Sequence, residues 1–299
     1  MRERVIAIVG QTASGKSRLG IDLARKVQGS VVSADSRQVY RGLDIGSGKV
    51  SKREQRAVPH YLLDVVDPRR VYSVAQYVRA ARHAIKTINR QGRVPIIVGG
   101  TGFWIDALLL GTSIPAVPPN PLLRKALAKR SVASLFAQLK RLDPKRAKTI
   151  DRHNPVRLIR ALEIVLTTKK RVPPTSMLQR YDMLWLGVQL PPRKLRNLIH
   201  SRLQRRMRAG LAGEVRNLLQ RGVPARRLLD LGLEYRYVTL YLQGKLTRKE
   251  MEVQLETAIR QFAKRQMTWF KRNPEIHWVR NASQAEQLTR KFLQPRASR

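Results

Sequence analysis

Val5-Ile6-Ala7-Ile8-Val9, then Gly10-Gln11-Thr12-Ala13-Ser14-Gly15-Lys16-Ser17, is the stretch on which the fold turns. Consecutive apolar residues rich in β-branched types read as a strand buried on both faces. The eight residues from Gly10 to Ser17 satisfy the pattern Gly, four residues, Gly, Lys, Ser. Leu19, Leu23 and Val27 then repeat at helical spacing from Lys16 onward. A glycine-rich turn between a strand and a helix start presents backbone N–H groups that can surround a diphosphate. Lys16 adds a point charge there, and the Ser17 hydroxyl is the expected ligand for a magnesium ion. The loop alone does not distinguish ATP or GTP from another diphosphate.

Outward from this loop, Ser30–Asp35 reads as a second strand. Tyr72–Gln91 reads as a helix, with Ser73 as a possible cap and Val74, Tyr77, Val78, Ala81, Ile85 and Ile88 along one face. Pro95–Val98 closes the unit as a strand. Strands alternating with helices predict an α/β fold, a P-loop core whose parallel sheet is flanked by helices and whose ligands sit beyond the C-terminal strand ends. Thr12, Asp35 and Thr101 all fall just past such ends.

Four prolines between Pro115 and Pro121 mark a linker leaving the core. From Leu122 to Arg180 sixteen Lys or Arg face only Asp143, Asp151 and Glu163, with apolar spacing that is helical in two or three short runs. The expected organisation is a core of residues 1–115 and 183–299 and a small basic helical insertion of residues 116–182. Met183–Leu190 is expected to return to the sheet. Helices are expected over Leu195–Gln220 and Arg248–Arg272, a last strand over Ile276–Val279, and a basic tail from Pro295.

The chain of 299 residues is 42% hydrophobic, enough for a packed core, and 60 basic against 20 acidic side chains give it a formal charge of +40. Such a charge repels itself unless a polyanion is near, which points to nucleic acid. The absence of cysteine excludes disulfides, thiolate nucleophiles and Cys-based zinc sites. The five histidines are scattered without metal-ligand spacing. Val94–Val117 is too interrupted by glycine and proline to span a membrane, so the expectation is a soluble cytoplasmic protein.

Asp35, after Val31-Val32-Ser33-Ala34, is the candidate general base, placed to take a proton from an acceptor nucleophile; it could equally assist the metal. Thr101, flanked by glycines, offers hydroxyl and backbone donors to phosphate oxygens. These residues allow an ATP-dependent small-molecule kinase as well. They also allow a nucleic-acid binding protein with an idle phosphate loop, although that reading leaves Asp35 and Thr101 without work.

Ser33-Ala34-Asp35-Ser36-Arg37-Gln38-Val39-Tyr40-Arg41-Gly42-Leu43-Asp44-Ile45-Gly46, taken with the phosphate loop, resembles the bacterial tRNA dimethylallyltransferase family. Pro59–Asp64, Val98–Gly102, Arg157–Glu163 and Gln261–Phe270 resemble it in order and spacing as well. The resemblance implies transfer of a dimethylallyl group from dimethylallyl diphosphate to an adenine amine beside the tRNA anticodon, with magnesium assisting. It implies Asp35 as general base, Thr101 as a contact to both reacting groups and Arg202 as a pyrophosphate ligand. For tRNA it implies Asp35, Ser36, Arg37 and Gln38 around the acceptor base, with Thr101, then Arg124, and Val156, Arg157, Leu158, Ile159 and Arg160. A monomer is expected.

Some positions depart from the family pattern. Gln11 stands where proline is usual, Gln204 and Arg206 replace Asp and Met, and Leu233 occupies the place of a Gly-Tyr pair. Trp269 and Phe270 are expected to pack the core.

Overall fold

In a computed structural model, residues 2–111, 115, 117–173 and 180–294 are described. Six strands form one sheet: β1 (Glu3–Gly10), β2 (Gly29–Ser33), β3 (His60–Tyr61), β4 (Val94–Val98), β5 (Tyr181–Val188) and β6 (Ile276–Val279). Their order is β3-β2-β4-β1-β5-β6, and every neighbouring pair is parallel. Val5–Val9 are fully buried, as strands covered by helices on both faces must be. Ile6, Ile8, Val31, Ile96, Leu184 and Leu186 pack with Ile21, Leu23 and Ala24 of the helix Lys16–Lys26.

This order positions the site. β4 lies between β1 and β2, and Val98 is in register with both Ile8 and Ser33, so β2 and β4 end level and β1 ends two residues further on. The turns carrying Gly10–Ser17, Asp35 and Gly99–Thr101 therefore leave the sheet side by side at its C-terminal edge, where ligands of open α/β sheets bind.

Several boundaries differ from the sequence expectation. β2 stops at Ser33, because the Ala34 amide donates to the Val98 carbonyl and the Ala34 carbonyl accepts from Thr101, which turns the chain out of the ladder. β5 starts at Tyr181 instead of Met183, since β1 begins at Glu3 and pairs with Tyr181 from its first residue. The expected helix Leu195–Gln220 is two helices, Pro192–Arg208 and Leu211–Gln220, broken at Gly210, whose φ of 94° lies in the left-handed region. The helix around Ile85 is Val74–Arg90 and opens with a capping box of Ser73 and Gln76. Arg248–Phe270 is one continuous helix, and β6 covers Ile276–Val279. Short helices at Lys52–Ala57, Gly102–Leu109, Ala225–Leu231, Leu233–Leu242 and Ala282–Leu293 carry no strong signal in the sequence. The expected tail from Pro295 lies outside the described residues.

The chain divides into two compact units, residues 1–110 with 179–299, and residues 111–178. The smaller unit holds four helices, Pro121–Ala128, Val132–Leu142, Pro144–Thr149 and Pro155–Thr168. Their starts are written locally: Asn120, Ser131, Asp143 and Asn154 each accept a backbone N–H of the first turn, and three of the helices place proline at the first position. Leu127, Leu135, Leu139, Leu158 and Leu162 form their common core.

Candidate phosphate and acceptor site

The phosphate loop is held from outside by a single side chain. Gln266, on the helix Arg248–Phe270, accepts the Thr12 amide at 2.7 Å and donates to the Gly100 carbonyl at 2.9 Å. It thereby joins the loop after β1 to the turn after β4. Gln11 donates from its side chain to the Ala263 carbonyl of the same helix at 3.1 Å. This buried tether is available to glutamine and not to the proline usual at that position, so the departure from the family pattern carries a hydrogen bond of its own.

The turn bearing Asp35 is fastened in the same way. The Ser36 amide donates to Thr101 Oγ1 at 3.0 Å, and the Arg37 amide donates to Asp35 Oδ1 at 2.8 Å. The second bond fixes the carboxylate by one oxygen. Gln38 is taken up within the fold, accepting from Ser33 Oγ at 3.0 Å and donating to the Gly48 carbonyl at 3.3 Å. Asp35 and Thr101 thus stand beside Lys16 on linked turns.

A pocket of about 390 Å³ opens in front of the loop, lined by Ala13, Gly15, Lys16 and Ser17 and closed on the far side by Arg202 and Arg205. Among the described residues, Lys16, Arg18, Lys49, Arg202 and Arg205 share it with a single carboxylate, Glu54. Burial and then the nearby Arg202 bring Lys16 down to about 8, against the pull of Asp35. Burial and then Arg206 bring Arg202 down to about 10 against the pull of Glu234 and Asp35. Arg37 is lowered by burial as well. Cations that disfavour their own charge are poised for an anion. Lys16 Nζ donates to the Gln11 carbonyl at 2.9 Å, and the buried Ser14 hydroxyl has no hydrogen-bond partner among the described residues.

Arg202 is placed by its surroundings. It shares the helix Pro192–Arg208 with Arg206, which pairs with Glu234. Both guanidinium groups reach the backbone at Gly48, where a Cβ would collide with them. The segment containing Gly48 is itself docked by Glu214, whose carboxylate accepts the amides of Asp44, Ile45 and Gly46 and the Tyr235 hydroxyl. The almost fully buried Lys49 side chain pairs with Asp44 and Asp64. Gln266, Glu214 and Lys49 have no role in the sequence reading; Gln266 and Glu214 act on backbone far along the chain, and the Lys49 pairs with Asp44 and Asp64 follow no recognised local pattern.

The remaining sequence-proposed residues divide. Arg124 and residues 156–160 belong to the smaller unit. Val156 is 75% exposed, whereas Leu158 is fully buried in that unit's core, so its side chain is not a surface contact and the expectation for it is corrected to packing. Phe270 is in the core as expected. Trp269 instead donates to Asp106 at 2.9 Å and has the Arg272 guanidinium 3.9 Å from its ring centroid.

A parallel α/β sheet with a phosphate loop, an adjoining carboxylate and a half-buried arginine at its C-terminal edge defines a P-loop protein. More narrowly, the chain belongs to the IPP transferase family, whose sequence pattern matches residues 38–273. It is 40% identical over 283 residues to a tRNA dimethylallyltransferase of Thermomicrobium roseum, covering 93% of this chain and 86% of that one. The fold is similar to a full-length tRNA isopentenylpyrophosphate transferase from Bacillus halodurans, at TM-score 0.75 and 31% identity over 98% of this chain and 97% of the other. A eukaryotic dimethylallyltransferase solved acting on tRNA shares the fold at TM-score 0.81 and 24% identity, over 97% of this chain and 77% of that one. Among the described residues no helix is long and apolar enough to cross a membrane.

Proposed function

We propose that the chain transfers a dimethylallyl group from dimethylallyl diphosphate to the N6 amine of the adenosine adjacent to the anticodon in tRNA, releasing pyrophosphate. The observation that carries this reading is the cationic pocket at the phosphate loop, lined by Lys16 and Arg202, with Asp35 acting electrostatically on both. Among relatives named as tRNA dimethylallyltransferases, that pairing of anion pocket and carboxylate has an obvious use.

The diphosphate would lie against the backbone of Gly10–Ser17, with Lys16 and Arg202 on its oxygens and the orphaned Ser14 hydroxyl as a further partner. As the N6–C1 bond forms and the C1–O bond breaks, the electron pair leaves with pyrophosphate, and Lys16 and Arg202 neutralise the departing charge. Asp35 takes the proton released from N6. Its Oδ1 is held by the Arg37 amide and no hydrogen bond among the described residues takes Oδ2. Thr101 already ties the two turns together through the Ser36 amide, and it would orient the reacting groups by the same hydroxyl.

Magnesium fits this site as a shared ligand and not as a protein-caged ion. Ser17 is exposed at the pocket, and among the described residues no group of three or more His, Cys, Asp or Glu could hold a metal. Ser17 would therefore hold the ion together with the diphosphate and water, the usual preference of magnesium. When bound, the ion offsets diphosphate charge. Arg37 and the basic residues of the insertion would meet tRNA, whose target base leaves its stack to reach Asp35. We place the reaction in the cytoplasm, carried out by a monomer.

The test is incubation of the full chain with magnesium, labelled dimethylallyl diphosphate and unmodified tRNA, with nucleosides read by mass spectrometry. Prenylated adenosine is expected. No transfer to any tRNA, with phosphate passing from ATP to a small acceptor instead, would overturn the reading in favour of a kinase.

A further inference from the structure

The insertion is crowded with positive charge, and between Leu122 and Arg180 it has three acidic residues. Glu163 is fully buried. Its Oε1 accepts Arg124 Nε at 2.8 Å and the Asn120 amide at 2.7 Å, while Oε2 accepts Arg124 Nη2 at 2.7 Å and Arg160 Nη1 at 2.5 Å. Arg160 also donates to the Val117 carbonyl at 2.9 Å. Burial would raise Glu163, but the hydrogen bonds from Arg124, the Asn120 amide and Arg160, with the Arg124 charge, outweigh it and hold the carboxyl at about 2.

A buried ion cluster is weak evidence of stabilisation, because desolvation cancels much of the attraction and an apolar side chain of similar volume often serves as well. What this cluster does accomplish is orientation. A single carboxylate fixes two guanidinium groups from different helices in one plane of reference, yet their side chains stay 41% and 31% exposed. Each uses two of its five N–H donors inward and leaves the others for an outside acceptor. A second observation points to an anion. The helix Pro155–Thr168 has no acidic residue in its first turn, so its positive end lacks the usual internal complement, whereas the end of Pro121–Ala128 is met by Glu163 itself through the Asn120 amide.

We propose that Glu163 is a positioning residue for tRNA, presetting Arg124 and Arg160 as a rigid pair for phosphates of the RNA backbone. The inference rests on the tRNA reading above and assigns to that reading a residue with no RNA contact of its own.

Charge and geometry predict opposite signs, which makes the proposal easy to test. Glu163→Gln adds one positive charge, so unspecific attraction alone would tighten RNA binding and steepen its salt dependence. Loss of positioning instead raises the KM for tRNA about tenfold, leaves kcat within about twofold and leaves the KM for dimethylallyl diphosphate unchanged. Glu163→Asp, which keeps the charge but withdraws it by one methylene, should fall between the two. A tRNA KM that is unchanged or lower in Glu163→Gln overturns the proposal, and so does loss of the folded insertion in both variants, which would make Glu163 purely structural. Should the wild type transfer nothing to tRNA, the reaction assignment fails separately, and tRNA affinity by gel shift still decides the role of Glu163.

Discussion

Arg202 in the core and Arg160 in the insertion are both drawn out of bulk water, but into opposite surroundings. Arg202 lies near Lys16, Arg205 and Arg206, and its charge is disfavoured by burial and then by Arg206 and Arg205, against the pull of Glu234 and Asp35. Arg160 and Arg124 are paired to a buried carboxylate with charge-assisted bonds. On the proposed reaction the core cluster, in which among the described residues only Arg206 has an ion-pair partner, is short of counter-charge because its partner is a ligand that comes and goes. The insertion cluster carries its counter-charge within the fold because its task is to hold a shape. On that reading, half-buried cations short of counter-charge mark where a reaction's anion sits, whereas a matched group marks a frame.

The largest effect should come from the carboxylate that faces the unmatched cluster. Asp35→Asn removes the proton acceptor while retaining an oxygen for the Arg37 amide. Transfer to tRNA should fall by about 10³-fold in kcat, within the usual range for a general base, with little change in the KM for dimethylallyl diphosphate. Single-turnover assays decide this. A variant that retains activity would reassign Asp35 to holding the turn.

Next comes the cost of the unmatched charge itself. Arg202→Leu should lower kcat by about 10²-fold, since it removes one group opposing the charge on the leaving pyrophosphate. The same variant should melt higher than the wild type, by roughly 3 °C, because it relieves crowding with Lys16 and Arg206. Calorimetry alongside kinetics gives the pair of readings. A lower melting temperature would break the contrast with the insertion, where losing a charge from the cluster is expected to destabilise.

Lys16 supplies the pH signature. Its folded value of about 8 lies below the ordinary 10.5, so between these the unfolded chain binds the extra proton and Lys16 makes stability rise with pH. Its binding role runs the other way. Above pH about 8 the free site loses the ammonium, and the ratio of pyrophosphate affinity in wild type to that in Lys16→Met should fall by about tenfold per pH unit. Titration calorimetry over that range reads the ratio. A flat ratio would mean that Lys16 stays charged despite its burial.

The legible part of this molecule is the part written in contiguous residues. Gly10–Ser17 announces itself because one strand, one loop and one helix start need fixed spacing, and the alternation of strands and helices gave the sheet. For the insertion the sequence pattern predicts helix in two or three short runs, whereas the structure has four helices whose starts are capped by Asn120, Ser131, Asp143 and Asn154. Gln266, Glu214 and Glu163 were not readable as site components, since each serves amides or guanidinium groups distant in sequence and no local pattern requires it. Of the three acids between Leu122 and Arg180, Asp143 and Glu163 are buried while Asp151 is exposed. The break at Gly210 was hidden because Leu203, Met207, Leu211, Val215 and Leu218 keep helical spacing across it.

The smallest effect concerns the matched pair inside the core, Arg206 and Glu234, and the unusual backbone that presents it. Leu233 has φ of 42°, in the left-handed region, immediately after Gly232 at 75° and immediately before Glu234. A leucine held there costs about 1 kcal/mol that glycine would not. At an ordinary helix position alanine is the more stabilising of the two small residues, so the order of two substitutions separates strain from packing. Leu233→Ala loses the half-buried side chain and keeps the strain; Leu233→Gly loses the same side chain and relieves it. The glycine variant should therefore exceed the alanine variant by about 1 kcal/mol in urea unfolding, the reverse of the usual ranking. Activity should change by less than about threefold in both, because Glu234 keeps Arg206 and Arg202 keeps its place at Gly48. If the alanine variant proves the more stable, the strain at Leu233 is absorbed by its neighbours, and Glu234 is held by the helix Leu233–Leu242 alone.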